Sequence, residues 1–258
     1  MPRIAANLTM LFTEYPFLER FDRAAQAGFH AVEFQFPYEH DAHAIRDRLD
    51  GNNLELVLYN LPAGDWAAGD RGIAADASRQ QEFRAGVARA LEYAAVLHPP
   101  RINLLAGKSE ETPENDLALL QNTRFASEEL DAEDILLTIE PVNSHDVPGF
   151  AVPTTRAATD LIEELDQPNI GLQLDVYHSL RMGEDPFAIV RDLGQTIAHI
   201  QIADVPGRHQ PGTGAVDFRR LFRVIDDSGY DGWVSLEYIP EGPTEEGFGL
   251  LRELGLLA

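Results

Sequence analysis

The chain reads as an α/β protein, a single (β/α)8 barrel occupying residues 1–258 as one domain. Three observations predict it. Eight strand-like runs alternate with helix-like stretches from end to end, with no low-complexity linker, and strict alternation of this kind builds a parallel sheet. Eight such units in about 250 residues is the size of a closed barrel. The last four runs are apolar on one face and polar on the other, whereas the interior strands of a doubly wound open sheet are apolar on both.

The first run, 3–9, leads to a helix over 17–27 that Gly28 closes. Runs 30–36 and 53–60 follow, with Gly51 as the breaker before the second of them. The stretch 78–97 is a helix because Phe83, Val87, Ala90, Leu91 and Ala94 recur at helical spacing. Run 101–107 precedes a helix over 115–130, and run 135–142 precedes one over 154–165. Run 170–177 is followed by a helix over 186–193 ending at Gly194; run 197–204 by one over 218–227 ending at Gly229; run 232–239 is the eighth strand. In the last four runs Leu137 and Ile139 alternate with Thr138 and Glu140, and Leu172, Leu174 and Val176 with Gln173 and Asp175. Ile200 and Ile202 alternate with His199 and Gln201, and Val234 and Leu236 with Ser235 and Glu237. A barrel turns the polar set inward.

Composition removes several functions. With 43 Asp+Glu against 20 Lys+Arg the net charge is −23, which disfavours nucleic acid and anionic membrane surfaces as partners. The absence of cysteine excludes disulfides, thiolate metal sites and cysteine nucleophiles. No apolar run approaches the roughly 18 residues of a membrane span. The apolar stretch 4–12 contains Asn7 and Thr9, runs into Glu14 and lacks a small-x-small cleavage site. It reads as a first strand and loop rather than a signal peptide, and a cytoplasmic location is expected.

Glu140, Asp175, Gln201 and Glu237 fall near the C-terminal ends of the fifth to eighth strands, on the inward parity. Barrel enzymes place their chemistry at that end. Any one of these residues alone reads as a polar group satisfied by its own loop. Together, three converging carboxylates repel one another unless protons or a cation intervene, and burying unpaired charge is costly. An all-oxygen donor set favours a hard divalent ion, Mg²⁺ or Mn²⁺, over zinc.

The segments 5–21 (AANLTMLFTEYPFLERF), 27–39 (AGFHAVEFQFPYE), 60–74 (NLPAGDWAAGDRGIA), 138–150 (TIEPVNSHDVPGF), 174–182 (LDVYHSLRM) and 201–218 (QIADVPGRHQPGTGAVDF) carry a resemblance. The chain resembles the hydroxypyruvate isomerase family, within the xylose-isomerase-like group of (β/α)8 barrels, over nearly its whole length. The resemblance implies that Glu140, Asp175, Gln201 and Glu237 hold a divalent metal, and that Glu140 and Glu237 are also the catalytic proton-transfer pair. It implies metal-assisted interconversion of hydroxypyruvate and tartronate semialdehyde through an enediolate. A glutamine at 201, where many epimerases of the group carry histidine, agrees with the isomerase branch. Isomerisation of a four-carbon 2-oxo acid such as 2-oxo-tetronate, or a sugar epimerase or dehydratase activity, are the alternatives. The family likeness also makes a homo-oligomer an expectation.

A small anionic substrate meeting a protein of charge −23 needs local positive charge. His178, Arg208, His209 and Lys108 are the candidates for binding it, each with a plainer reading as a structural or solvated residue. Asp204 stands either to orient a histidine or arginine or to cap a helix. Trp66 and Arg71 stand to cover the barrel mouth, with packing of the loop as the alternative for Trp66. The GTGAVD stretch at 212–217 lacks the third glycine of a dinucleotide fingerprint, so no nucleotide cofactor is expected.

Overall fold

The computed structural model describes residues 1–257. The strands are β1 (Arg3–Asn7), β2 (Ala31–Glu33), β3 (Glu55–Leu56), β4 (Tyr59–Asn60), β5 (Arg101–Leu104), β6 (Leu136–Ile139), β7 (Ile170–Asp175), β8 (Ile197–Ile202) and β9 (Trp233–Leu236). All pair in parallel in one sheet, in the order β3-β2-β1-β9-β8-β7-β6-β5-β4.

The sheet's two edges are two halves of one strand. Only Val57 and Leu58 separate β3 from β4. On one side this run is bound to the β2 segment, by Val57 N–H to Val32 O at 2.8 Å and Phe34 N–H to Leu58 O at 3.3 Å. On the other side Leu61 N–H reaches Asn103 O in β5 at 2.8 Å. The nine strands therefore close into the eight-unit ring that the sequence predicts.

The helices are α1 (Phe17–Gln26), α2 (Ala42–Gly51), α3 (Gln80–Leu97), α4 (Pro113–Asp131), α5 (Thr155–Leu165), α6 (Val176–Arg181), α7 (Pro186–Leu193), α8 (Phe218–Asp227) and α9 (Gly249–Glu253). Their starts follow local chemistry. Asp41, Thr112, Thr154, Asp185 and Asp217 each cap a first turn with a side-chain oxygen, and Pro113 and Pro186 occupy first-turn positions whose N–H would go unpaired. Three helices, α2, α6 and the five-residue α9, lie outside the stretches that periodicity marks. Only Ile45 and Leu49 are buried on α2, so it shows little apolar stripe, and α6 is six residues long. Among the described residues no helix is long and apolar enough to cross a membrane.

The main core lies between helices and strands, where Phe12, Phe29 and Phe248 pack edge to face and Phe17, Phe21 and Phe34 form a second group. Inside the barrel a small apolar cluster of Ala5, Ala31, Val57 and Leu58 against Trp233 fills the floor, towards the strands' N-terminal ends. Above it the interior is polar and fully buried: Asn7, Glu33, Asn103, Thr138, Gln173, His199 and Ser235 are each 0–1% exposed. Strand parity alone puts them there, since inward positions pair across the ring, as Asn103 does with Thr138 and Gln173 with His199.

Candidate active site

The inward polar residues form one hydrogen-bonded chain. Asn103 Nδ2 donates to Glu140 Oε2 at 2.8 Å. Thr138 Oγ1 donates to Gln173 Oε1 at 2.8 Å, and Gln173 Nε2 donates to Gln201 Oε1 at 2.8 Å. Gln201 Nε2 then donates to Glu33 Oε1 at 2.8 Å and to Glu237 Oε2. Its amide has little choice of orientation, because carboxylates only accept and Gln173 presents a donor. Glu33 also accepts from Asn7 Nδ2 at 2.9 Å and meets His199 Nε2 at 2.6 Å. Burial works to raise the Glu33 carboxyl, but His199 and the hydrogen bonds outweigh it, and its pKa is lowered from the ordinary 4.5.

Above this layer, Glu140 follows the end of β6, Asp175 ends β7 and Glu237 follows β9. Asp175 caps α6 through Tyr177 N–H at 2.8 Å, which sets His178 one turn on and over the same opening. His178 Nδ1 faces Asn143, accepting from its backbone N–H at 3.4 Å, so in the neutral ring the proton is assigned to Nε2. That nitrogen lies 3.5 Å from Asp175 Oδ2 and 3.9 Å from Glu140 Oε1. Burial, reinforced by Arg208, pushes the histidine well below its usual range and keeps it neutral.

Arg208 supplies the site's paired cation. Its Nη2 donates to Asp175 Oδ2 at 3.1 Å and to Glu237 Oε1 at 3.0 Å. The loop that carries it is clasped by Asp204. This side chain accepts from the backbone N–H groups of Val205, Gly212, Gly214 and Val216 at 2.8–3.0 Å. The Asp204 side chain therefore organises the loop through its amides, and the residue's own N–H donates to His209 O at 2.9 Å. A bond from Ile239 N–H to Arg208 O at 2.8 Å ties the same loop to the segment after Glu237.

Glu140, Asp175 and Glu237 surround one guanidinium, that of Arg208, so full ionisation leaves two uncompensated negative charges among them. The carboxyls respond. Burial first, then Glu237 and Asp175, push Glu140 well above its ordinary range. Burial raises Asp175 too, against the pull of Arg208. Glu237 is pushed up to about 8 by burial, with Arg208 working against the shift. Arg208 is itself raised, because its three carboxylate neighbours outweigh the effect of burial.

A divalent cation fits this arrangement. One donor atom each from Glu140, Asp175 and His178 lie within 4.8 Å of one another, all buried, and the excess negative charge calls for a counter-ion. Gln201 and Glu237, the other two ligands that the resemblance implies, adjoin this group: the Gln201 oxygen accepts from Gln173 and its amide hydrogens face Glu33 and Glu237. Glu237 also meets Arg208, Asn7 and Gln35.

Sequence reasoning named neither Glu33 nor the Asn7 and Gln35 donors. His209 and Lys108 are not brought into the cavity. His209 Nδ1 bonds Ile239 O at 2.8 Å, and Lys108 Nζ donates to Gly69 O at 3.1 Å. The cavity itself measures about 130 Å³ and is lined by Glu140, His178, Arg208 and Glu237 below, with Trp66 and Arg71 at its mouth.

A model of the xylose isomerase-like TIM barrel family matches residues 21–254. The hydroxypyruvate isomerase of Escherichia coli (strain K12) is 47% identical over 250 residues, covering 96% of this chain and 97% of that one. The chain belongs to the hydroxypyruvate isomerase family. It is an isomerase. A 2-oxo-tetronate isomerase of Cupriavidus necator is 42% identical, with 98% of each chain covered. The crystal structure of an AP endonuclease of family 2 from Brucella melitensis superposes on this isomerase with a TM-score of 0.95 at 41% identity. It covers 98% of this chain and 99% of that one.

The raised carboxyls give the isomerase a pH signature. Glu140 and Glu237 hold protons above the ordinary 4.5, so from there to about 8 the folded state binds more protons than the unfolded one. Stability of the metal-free protein therefore falls as pH rises through that window. Glu33 is lowered from 4.5, so its contribution is lost only on acidification below that value. Neutral, buried His178 works the other way up to its ordinary 6.5, so melting in EDTA is expected to weaken most between about pH 6.5 and about pH 8, with Mn²⁺ or Mg²⁺ restoring most at the alkaline end. A melting temperature that climbs across this range contradicts the assignment.

Proposed function

We propose that this isomerase interconverts hydroxypyruvate and 2-hydroxy-3-oxopropanoate (tartronate semialdehyde) by proton transfer through an enediolate. The observation that carries the reading is the placement of two buried, proton-retaining carboxyls, Glu140 and Glu237, on one small cavity with a guanidinium beside them.

Going from the ketone to the aldehyde, C3 loses a proton, C2 gains one, and the hydroxyl proton passes from O3 to O2. One carboxylate takes the C3 proton and the other carboxyl, already protonated, delivers one to C2. The two titrate as a pair, so either can hold the shared proton as the direction requires. Arg208 donates towards the oxygens on which charge develops. Asn103 orients Glu140; Asn7, Gln35 and Gln201 orient Glu237. A divalent cation held by Glu140, Asp175 and His178, Mg²⁺ or Mn²⁺, would polarise the carbonyl and acidify the neighbouring C–H.

A four-carbon 2-oxo acid is the second reading, favoured by one feature. Trp66 is shared between the cavity and a wider groove lined by Phe36, Tyr38, Pro62 and Arg89, which gives a longer chain room to extend. The net charge of −23 weighs against nuclease action of the kind named for the Brucella structure. Turnover of hydroxypyruvate and of 2-oxo-tetronate, after EDTA and after restoring each metal, tests the reading. A higher kcat/KM for the three-carbon acid is expected, and a well-folded, metal-loaded sample that turns over neither acid overturns it.

A further inference from the structure

Of the two arginines lining the cavity, only Arg208 is committed to acidic partners. The other is Arg71, on the loop between β4 and α3. Among the described residues it has no carboxylate partner, although the protein carries a charge of −23 and Glu140, Asp146 and Glu237 line the same cavity. Its Nη1 donates to the backbone oxygens of Trp66 and Asp70, at 3.2 and 2.6 Å. Nε and Nη2 are left to face another acceptor. The guanidinium carbon stacks 3.9 Å from the Trp66 ring centroid, and Trp66 rests against Phe36 with centroids 5.2 Å apart. A cation held flat on an aromatic face with one edge free is set for fork-like binding of a carboxylate.

The backbone beneath is fixed as firmly. Asp70 accepts from Asp65 N–H at 2.7 Å and pairs with Arg79 at 2.8 Å. Gly72 sits at φ +109° and bridges to Ala106; a Cβ there would come 2.1 Å from Leu105 O. The loop is therefore locked on both sides of Arg71, within its own unit through Asp70 and to the neighbouring barrel unit through Gly72.

We infer that Arg71 binds the carboxylate of the substrate at the cavity mouth and thereby selects 2-oxo acids over neutral sugars of equal length. This rests on the isomerase reading above. It explains how an acidic site admits an anion: the charge of Arg208 is matched by Asp175 and Glu237, and Arg71 supplies the remaining guanidinium among the lining residues.

The test compares wild type, Arg71→Gln and Arg71→Lys on hydroxypyruvate and on dihydroxyacetone, its neutral counterpart with a hydroxymethyl in place of the carboxylate. Calorimetric binding of glycerate, which carries the carboxylate and cannot isomerise, is measured alongside. Arg71→Gln is expected to raise the KM for hydroxypyruvate and the Kd for glycerate about 10–100-fold and to collapse the preference for acid over neutral substrate by a similar factor; Arg71→Lys recovers part of it. A Kd and a preference within twofold of wild type overturn the inference. If wild type turns over neither acid, the isomerase reading falls, and the glycerate Kd still decides whether Arg71 holds a carboxylate.

Discussion

Replacing Glu237 with glutamine is expected to lower kcat for isomerisation roughly 10²–10⁴-fold, the usual contribution of a positioned acid–base group. The size of the effect follows from the environment. Glu237 is 3% exposed, lines the cavity, and its acid form persists to about 8, near the pH at which proton transfer has to run in both directions. Four side chains, Asn7, Gln35, Gln201 and Arg208, hold it in place, so water has little access to substitute for it. The glutamine is nearly isosteric, which makes the comparison one of chemistry. Far-ultraviolet circular dichroism establishes that the variant is folded, and a variant retaining more than a tenth of wild-type kcat removes Glu237 from the proton-transfer pair.

Truncating Glu33 to alanine is expected to cost about 3–5 kcal/mol of stability, because it leaves buried donors on His199, Gln201 and Asn7 without that acceptor. Glu33 is 0% exposed and faces His199, Gln201 and Asn7 at 2.6–2.9 Å. Without it, His199 keeps no partner, because its Nδ1 already lacks one among the described residues. Gln201 loses the acceptor that helps fix its amide, and with it the orientation of Glu237 above. Thermal unfolding at neutral pH is expected to show a fall of roughly 10 °C. A loss under about 1 kcal/mol means that water or a rearranged Gln201 satisfies His199, and that the buried layer is not the site's foundation.

How much of this was legible depends on strand length. In β7 and β8, six residues each, alternation exposes the inward parity, so Asp175 and Gln201 could be read as interior from the letters alone. Glu140 and Glu237 follow by the same rule one residue past β6 and β9. In β2 only three residues are strand, too few to show a period, so Glu33 looked like any other acid. Asn60 ends a strand of only two residues, half of a broken one. The orientation of Gln201 is set by a relay that starts at Thr138 on another strand, and no local pattern records it. The same holds for Arg208, whose loop announces only turns in its glycines and prolines. What directs the loop inward is one carboxylate, Asp204, receiving four of its amides. His178 is the intermediate case: its spacing from Asp175 is plain in sequence, but its approach to Glu140 depends on the cap that starts α6.

The most direct measurement is isomerisation of hydroxypyruvate in D₂O, with the aldehyde trapped at low conversion, its C2 hydrogen counted by NMR, and an enzyme-free control for background exchange. Two carboxyls acting on adjacent carbons draw the delivered proton from a different source than the one removed. The product is therefore expected to carry deuterium at C2 from the first turnover, with turnover absent in Glu237→Gln. Product that retains protium at C2 throughout contradicts the two-carboxyl mechanism, since it requires either a hydride shift or return of the same proton by a single base.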